Sequence, residues 1–245
     1  MRVKRIWIMT LFPELVKPFF ECGIAGSAFR GERGPKFEIN FVNPREFSPK
    51  NYKGVDDAPY GGGPGMVIRA DILKDALIKG VVEAGFYGRD WKEKLAIVFP
   101  GPRGKKWDME NCKDFSRKYL NPEVEKDIVF ICGRYEGIDE RFLQLYVDFE
   151  YSLGDFVLTG GELAVMTMLD SAVRFTSGAL GNADSLDTES FCQNLLEYPQ
   201  YTRPREFDGA LVPEVLLSGD HAKIEKYKEE KRLEITKKYR PDLLS

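Results

Sequence analysis

DIVFICGRYEGIDER, residues 127–141, is the part of the sequence that indicates the fold most clearly. It begins with a short apolar run rich in β-branched side chains, Asp127 to Cys132, which is typical of a strand inside a parallel sheet. Cys132 to Arg141 then places seven ionisable side chains within ten residues, where a helix is expected to begin. Open α/β sheets bind ligands just beyond the carboxyl ends of their strands. The stretch therefore predicts a binding loop on an α/β sheet.

Short apolar runs elsewhere alternate with helical patterns, which favours an α/β layered domain with a mostly parallel sheet. The other predicted strands are Val3 to Met9, Phe37 to Val42, Leu95 to Phe99 and Val147 to Tyr151. Predicted helices are Ala70 to Ala84, Asp108 to Tyr119 and a third marked by the apolar stripe Leu163, Met166, Leu169 and Val173. This pattern alone predicts an ordinary doubly wound sheet.

The size and composition of the chain bound its organisation. With 245 residues, 43% of them hydrophobic, the chain can bury one full core and a small second domain. The small, polar stretch from Thr176 to Glu189 predicts a connector between them. His221 to Arg240 is a lysine-rich helical pattern, and two interpretations stay open for it: a solvated helix or a contact with an RNA backbone.

Several functional classes are disfavoured. No apolar run approaches the roughly 20 residues that span a bilayer, and the first nine residues resemble a strand instead of a signal peptide, so we expect a cytoplasmic protein without a membrane partner. Four separated cysteines and one histidine do not favour a zinc site. A net charge of −3 argues against a general nucleic-acid coat, so any RNA contact is expected to be local. No phosphate-loop, dinucleotide or nucleophile-elbow motif is present.

Three more loops carry candidate chemistry. The glycine-dense Tyr60 to Met66 allows close backbone approach to a ligand. Phe99 to Lys105 follows a predicted strand, and its prolines stiffen a turn that suits a nucleoside. Ser152 to Glu162 combines apolar side chains that suit an adenine with glycines that expose backbone donors and acceptors.

Together with matches further along the chain, these loops resemble those of the bacterial tRNA (guanine-37 N1)-methyltransferases, the TrmD family of the SPOUT superfamily. The matching stretches are Tyr60 to Met66, Gly133 to Arg141, Gly154 to Glu162, Tyr201 to Pro204 and Val215 to His221. The resemblance implies an α/β, trefoil-knotted domain with a mostly parallel sheet over residues 1–178. It further implies a linker at 179–194, a small helical tRNA-binding domain at 195–245, and a homodimer.

The resemblance also implies binding sites. S-adenosylmethionine would donate the methyl group, and its pocket would be lined by Phe99, Pro100, Pro102, Gly104, Gly133, Tyr135, Leu153, Gly154, Asp155, Phe156, Val157, Leu158, Gly160 and Gly161. The anticodon loop of tRNA would bind between the C-terminal domain of one subunit and the linker of the other. Glu136 matches a residue linked to Mg²⁺ dependence, which raises Mg²⁺ as a further cofactor, although one carboxylate is not a metal site.

Methylation at N1 of guanine requires removal of a proton. The family places a carboxylate, usually aspartate, before a Ser-Phe pair in the linker, and Glu189 stands there, with Asp187 as the nearby alternative. Arg174 matches an arginine that would stabilise negative charge on guanine O6. Its other interpretation is a surface i, i+4 pair with Asp170.

Two rival functions stay open. One is an RNA methyltransferase of the same knotted class that acts on another nucleoside, for example on a ribose hydroxyl, which needs no carboxylate to remove a ring proton. The other is a non-enzymatic RNA-binding protein, which would bind RNA with strong salt dependence but would not bind S-adenosylmethionine.

Overall fold

A computed structural model describes residues 2–49, 54–179 and 189–244. The chain divides into two compact units, Met1–Gly181 and Asn182–Ser245. Most of the predicted linker, including Asp187, lies outside the described residues. The domain boundaries expected from the sequence therefore stay a prediction.

The first unit is built on a five-stranded parallel sheet. The strands of the first unit are β1 (Lys4–Met9), β2 (Phe37–Val42), β3 (Asp56–Asp57), β4 (Val67–Ile68), β5 (Leu95–Lys106), β6 (Asp127–Ile131) and β7 (Phe149–Ser152). The order in the sheet is β2-β1-β6-β5-β7, and every neighbouring pair is parallel. The strands β3 and β4 form a small antiparallel pair. The five predicted strands are thus present, and the α/β class with a mostly parallel sheet is confirmed.

Helices join the strands of this unit. The α-helices are α1 (Pro13–Val16), α2 (Gly23–Phe29), α3 (Ala70–Asp75), α4 (Trp91–Lys94), α5 (Met109–Phe115), α6 (Glu140–Tyr146) and α7 (Glu162–Val173). Short 3₁₀ turns span Lys17–Phe20 and Pro44–Phe47. The two predicted helices at 70–84 and 108–119 each begin as an α-helix and continue as π-helix, over Ala76–Glu83 and Ser116–Leu120.

Both faces of the sheet are buried, and successive residues of its central strands point into opposite cores. Ile6 and Ile8 of β1 pack into one core with Phe130 of β6, while Trp7 and Met9 pack into the other. Helices α2, α5 and α7 cover the first face, and α3 with its π-helical continuation and α6 cover the second. Because both faces are covered, ligands bind to a sheet of this kind at the carboxyl ends of its strands.

The predicted apolar stripe of α7 is wrong in part. Leu169 and Val173 are buried as expected, but Leu163 is half exposed. The buried face also contains Val165, Met168 and Ala172. Val165, Met168, Leu169 and Ala172 have the i, i+3, i+4, i+7 spacing of a helix that packs on one side. A stripe at i, i+3 and i+6 gradually turns away from that side, because a helix has 3.6 residues per turn.

The second unit, in its described part from Glu189, contains a helix, a short hairpin and several turns. Helix α8 spans His221–Tyr239, and the hairpin joins β8 (Glu206–Phe207) to β9 (Ala210–Leu211). The 3₁₀ turns are Cys192–Asn194, Glu214–Leu217 and Pro241–Leu244. The buried Arg232 of α8 donates to the carbonyl oxygen of Cys192 at 3.1 Å, so this arginine holds a turn of its own unit.

Most lysines of α8 lie beside acids. Lys223, Lys226, Lys228 and Lys231 each form an ion pair with a nearby Asp or Glu, with N···O distances of 2.6 to 3.9 Å. Exposed pairs of this kind contribute little stability. They reduce the net positive charge of this face, which favours the solvated-helix interpretation for these four residues.

Among the residues that the structure describes, no helix combines the length and the apolar character needed to cross a bilayer.

Candidate functional site

A cleft of about 250 Å³ lies at the carboxyl ends of β5, β6 and β7. Three loops form its walls: the one within β5, the one after β6, and the one between β7 and α7. Its lining residues are Phe99, Pro100, Gly101, Pro102, Gly133, Arg134, Tyr135, Glu136, Gly137, Tyr151, Ser152, Leu153, Gly154, Phe156, Val157, Leu158, Thr159, Gly160, Gly161 and Ala164. Three loops that are distant in sequence therefore meet where parallel sheets bind ligands.

The cleft brings together most of the residues predicted to bind the cofactor. Those that line it are Phe99, Pro100, Pro102, Gly133, Tyr135, Leu153, Gly154, Phe156, Val157, Leu158, Gly160 and Gly161. Gly104 and Asp155 are not among the lining residues. The structure thus brings these residues to one cleft, and their contacts with a cofactor stay a prediction.

Gly104 has a backbone reason for its position. Strand β5 pairs with β7 at Pro100, bulges outward, and then pairs with Tyr151 again at Lys105. A Cβ atom on Gly104 would overlap the backbone of Glu150 and Tyr151. Gly104 therefore allows the bulged strand to return to its partner, and the bulge presents Pro100 to Pro102 to the cleft.

The floor of the cleft depends on close approach of two backbone segments. The Gly161 N–H donates to the Gly133 carbonyl oxygen at 2.9 Å. A Cβ atom on Gly161 would lie 2.9 Å from the Cα of Cys132 and 3.0 Å from the Gly133 nitrogen. Only glycine allows the start of α7 to sit this close to the end of β6.

A buried ion pair lies under the floor. Glu162, the first residue of α7, is 1% exposed, and its carboxylate pairs with Arg134 at 2.9 Å. The Thr10 hydroxyl donates to Glu162 Oε1 at 2.7 Å, and Arg134 also donates to the Thr159 carbonyl oxygen at 3.1 Å. A carboxylate at a helix N-terminus is further stabilised by the helix dipole. The group fixes the loop after β6 against the loop before α7.

Cys132 lies beside this ion pair. Burial raises the pKa of the Cys132 thiol well above its usual range, and the Glu162 carboxylate adds to that effect. A protonated, buried thiol is a poor nucleophile. Cys132 is buried and does not line the cleft, so it is a poor candidate for a covalent nucleophile.

The glycine-dense loop predicted at Tyr60 to Met66 reaches the cleft through its last residues. The Glu136 N–H donates to the Met66 carbonyl oxygen at 2.9 Å, and the Ile68 N–H donates to the Gly137 carbonyl oxygen at 3.0 Å. Tyr135, which lies between Arg134 and Glu136 in the sequence, has a left-handed backbone conformation with φ +58°. Non-glycine residues adopt that conformation at a cost, and such strain concentrates at binding sites.

The two predicted catalytic residues lie in different units. Arg174 follows the last residue of α7 and is half buried. Glu189 is the first described residue of the second unit, and its carbonyl oxygen accepts a hydrogen bond from the Cys192 N–H at 3.1 Å. Ser190 accepts from the Glu197 N–H at 3.0 Å, so the segment that carries Glu189 is held by a turn. The roles of both residues stay predictions.

Metal binding has little support. The described ranges contain no cluster of three or more His, Cys, Asp or Glu side chains that is able to hold an ion. Glu136 lines the cleft without a second carboxylate beside it in that lining. The structure does not support the expectation of a Mg²⁺ site.

The roles of Thr10, Arg134 and Glu162 in the ion pair were not visible in the sequence pattern. Arg134 and Glu162 both belong to stretches that were singled out, but nothing in their spacing shows that they pair. Thr10 is 152 residues from Glu162, so only the fold brings the two together. The one available signal was a carboxylate at the start of an amphipathic helix.

Comparison with known proteins identifies the family. The family model "tRNA (Guanine-1)-methyltransferase TrmD" matches residues 4–245. The chain belongs to the TrmD family. The predicted family and enzyme class are confirmed.

Curated TrmD relatives resemble the chain along nearly its whole length. A tRNA (guanine-N(1)-)-methyltransferase of Actinobacillus succinogenes is 42% identical over 98% of this chain and 91% of its own length. Proteins of the same description from Clostridium botulinum and Lactobacillus delbrueckii subsp. bulgaricus are 45% and 44% identical, over 98% and 97% of this chain and 91% and 87% of their own lengths.

Proposed function

We propose that this chain transfers the methyl group of S-adenosylmethionine to N1 of guanosine 37 in tRNA and produces 1-methylguanosine. The observation that carries the proposal is the cleft at the carboxyl ends of β5 to β7 in a member of the TrmD family. The cleft is lined mainly by glycines, prolines and apolar side chains. Such a lining suits a bent, largely neutral adenosyl group, which is bound by shape and backbone hydrogen bonds.

The donor fits the residues that are present. Phe99, Leu153 and Leu158 offer apolar surface for an adenine ring, while Gly133 and Gly160 bring backbone groups to the cleft without side chains in the way. When bound, S-adenosylmethionine supplies a methyl group attached to a positively charged sulfur. The residues of the cleft hold that group and exclude water from it.

Glu189 is the proposed general base. Guanine N1 is protonated at neutral pH and becomes a nucleophile when the proton moves to the Glu189 carboxylate. N1 then forms a bond to the methyl carbon while the bond from that carbon to sulfur breaks, and the sulfur keeps the electron pair. Glutamate reaches one methylene further than the aspartate usual in the family, and a misplacement of about 1 Å costs on the order of a hundredfold in rate.

Arg174 is the proposed stabiliser of the purine. Loss of the N1 proton places negative charge on guanine O6, and a guanidinium near that oxygen lowers the energy of the transition state. The half-buried position of Arg174 at the end of α7 supports this role, since partial burial strengthens such an interaction.

The remaining assembly is part of the same proposal. A trefoil knot in the first unit, a tRNA-binding role for the second unit and a cytoplasmic homodimer are what the family resemblance implies. Exposed apolar residues beside the cleft support a partner subunit: Val157 is 92% exposed and Phe156 is 57% exposed. Large exposed apolar side chains that lie together mark interaction surfaces.

Product identification tests the proposed function. Labelled S-adenosylmethionine is incubated with a tRNA that carries guanosine 37, and the methylated nucleoside is identified after digestion. The wild type should form 1-methylguanosine. Glu189→Gln should reduce the rate by at least a hundredfold while cofactor affinity stays within about twofold, because only the proton acceptor is removed.

Other outcomes would redirect the assignment. A 2′-O-methyl product would show a methyltransferase that acts on ribose. RNA binding without cofactor binding would show a non-enzymatic RNA-binding protein. Full activity of Glu189→Gln would reject Glu189 as the base and make Asp187 the next candidate.

A further inference from the structure

Beside the cleft, three side chains form a cation–π cluster that the proposed reaction does not use. Two guanidinium groups lie over the ring of Phe12: the guanidinium carbon of Arg134 is 4.5 Å from the ring centre, and that of Arg45 is 5.2 Å from it. Arg134 lines the cleft, whereas Phe12 and Arg45 do not. Through the shared Phe12 ring, the cluster connects a residue of the cleft with an exposed arginine of the first unit.

Arg45 is exposed but held in place. One guanidinium nitrogen donates to the Leu11 carbonyl oxygen at 2.7 Å, and the cation lies over Phe12. Its backbone N–H donates to Asn43 Oδ1 at 3.1 Å, which fixes the start of the 3₁₀ turn Pro44–Phe47. Holding a long side chain in this way lowers the entropy lost when it binds a ligand.

The two arginines differ in charge balance. The buried Glu162 carboxylate compensates Arg134. Among the described residues, no acidic side chain forms an ion pair with Arg45, and one hydrogen bond to a carbonyl leaves most of its five N–H donors available. Arg45 is therefore an ordered, uncompensated cation next to the cleft.

We propose that Arg45 binds a backbone phosphate of the RNA strand that enters the cleft. A guanidinium matches the geometry of a phosphate and binds it with two parallel hydrogen bonds. The chain carries a net charge of −3, so attraction of a polyanion depends on local cations of this kind. This inference rests on the proposed function, because it takes tRNA as the substrate.

The same guanidinium chemistry suits the carboxylate of S-adenosylmethionine. Position favours the phosphate, because Arg45 does not line the cleft and is next to it only through the Phe12 ring, which Arg134 also contacts. A flipped base stacked on the guanidinium is a third possible ligand. Salt dependence distinguishes it, since stacking releases no counterions.

The test compares Arg45→Gln, Arg45→Lys and the control Arg89→Gln in the full chain. Arg89 is also exposed, and among the described residues it too has no acidic partner, but it precedes the amino end of β5, at the opposite edge of the sheet. KM for tRNA, the dependence of kcat/KM on salt, and calorimetric affinity for S-adenosylmethionine are measured for each variant and for the wild type. The substitution lies on an exposed position of the 3₁₀ turn Pro44–Phe47, and urea unfolding of each variant checks that the fold is preserved.

Arg45→Gln should raise KM for tRNA about tenfold and lower the slope of log kcat/KM against log salt by about 0.7 to 0.9, the change for one phosphate contact. Arg45→Lys should keep the slope, and Arg89→Gln should match the wild type. Cofactor affinity should not change in any of them.

Three results for Arg45→Gln would overturn the inference. The first is a wild-type KM for tRNA with a wild-type salt slope. The second is a raised KM with an unchanged slope, which would indicate base stacking, and the third is weakened affinity for S-adenosylmethionine, which would indicate binding of its carboxylate. If the wild type itself forms no 1-methylguanosine, the proposed function fails instead, and that outcome is separate from any effect at position 45.

Discussion

Glu162 shows how one buried side chain shapes the cleft. Its carboxylate is almost completely buried, and it holds Arg134 and the Thr10 hydroxyl beneath the two loops that form the floor. Removal of one member of a buried pair leaves the other charge without compensation, and the stability lost in this way exceeds the net stability that the intact pair contributes. The ion pair is therefore expected to matter for binding through the position of Arg134.

Glu162→Ala should destabilise the fold by about 3 kcal/mol and weaken S-adenosylmethionine binding at least tenfold. Glu162→Gln keeps a hydrogen-bond acceptor for Thr10 and Arg134, so its losses should be clearly smaller. Urea unfolding and calorimetry measure the two effects. Thr167→Ala, at an exposed position of the same helix, is the control and should change neither. Equal losses for Ala and Gln would show that the hydrogen bonds contribute little.

Lys4 makes the stability of the fold depend on pH. Burial lowers the pKa of the Lys4 amino group from 10.5 to about 8, although Asp127 opposes the shift, and the group donates to the Val124 carbonyl oxygen at 2.7 Å. Between pH 8 and 10.5 the unfolded chain binds more protons at Lys4 than the folded chain. The free energy of unfolding should therefore rise with pH across this window, by at most about 1.4 kcal/mol per pH unit, and fall as pH decreases towards 8.

Lys4→Met removes this titration. The difference in free energy of unfolding, wild type minus variant, should increase from pH 8 to pH 10 in urea titrations, because other titrating groups cancel in the difference. A difference that does not change with pH would contradict the assigned burial of the amino group.

The loop before α7 and the end of β6 act as one element because their backbones touch at Gly161. Gly161→Ala would force the Cβ atom against backbone atoms of Cys132 and Gly133 that have no freedom to rotate away. We expect a loss of about 1 to 3 kcal/mol in stability, as for overpacked cores, and weaker cofactor binding. Thermal melts and calorimetry measure both. Wild-type behaviour of the alanine variant would show that the two segments separate easily.

At this scale the sequence predicted the strands better than it predicted the site. The strands β1, β2, β5, β6 and β7 were visible because each is a short apolar run. Phe99 to Lys105 was expected as a loop after a strand, whereas it is a bulge inside the extended β5, which reaches Lys106 because Gly104 allows it to rejoin β7. Leu163 was assigned to the buried stripe of α7 and is half exposed, because hydrophobic spacing does not show which face packs.

At the scale of the whole molecule, sequence alone does not bring distant residues together. The loops were expected from the residues to bind a ligand, but their meeting in one cleft was predicted only through the family resemblance. The contact between Thr10 and Glu162 likewise joins distant parts of the first unit. The proposed knot and the proposed homodimer would leave no trace in local periodicity, because they would depend on the path of the whole chain and on a second copy of it.

The exposed apolar residues around the cleft predict a homodimer. Leu163→Lys and Val157→Asp should shift the protein from dimer to monomer in sedimentation equilibrium, since each places a charge where a partner would exclude water. Leu145→Lys, which changes another exposed leucine on α6, should leave the dimer intact. A wild-type monomer at micromolar concentration would reject this part of the proposal.

The most direct test of the central claim is the position of methylation in intact tRNA. Two transcripts that differ only in carrying guanosine or adenosine at position 37 are incubated with enzyme and S-adenosylmethionine, and their anticodon fragments are weighed by mass spectrometry. The proposed function predicts that the guanosine 37 fragment gains one methyl group, on the base, and that the adenosine 37 fragment gains none. Methylation of both fragments, or of neither, would contradict it.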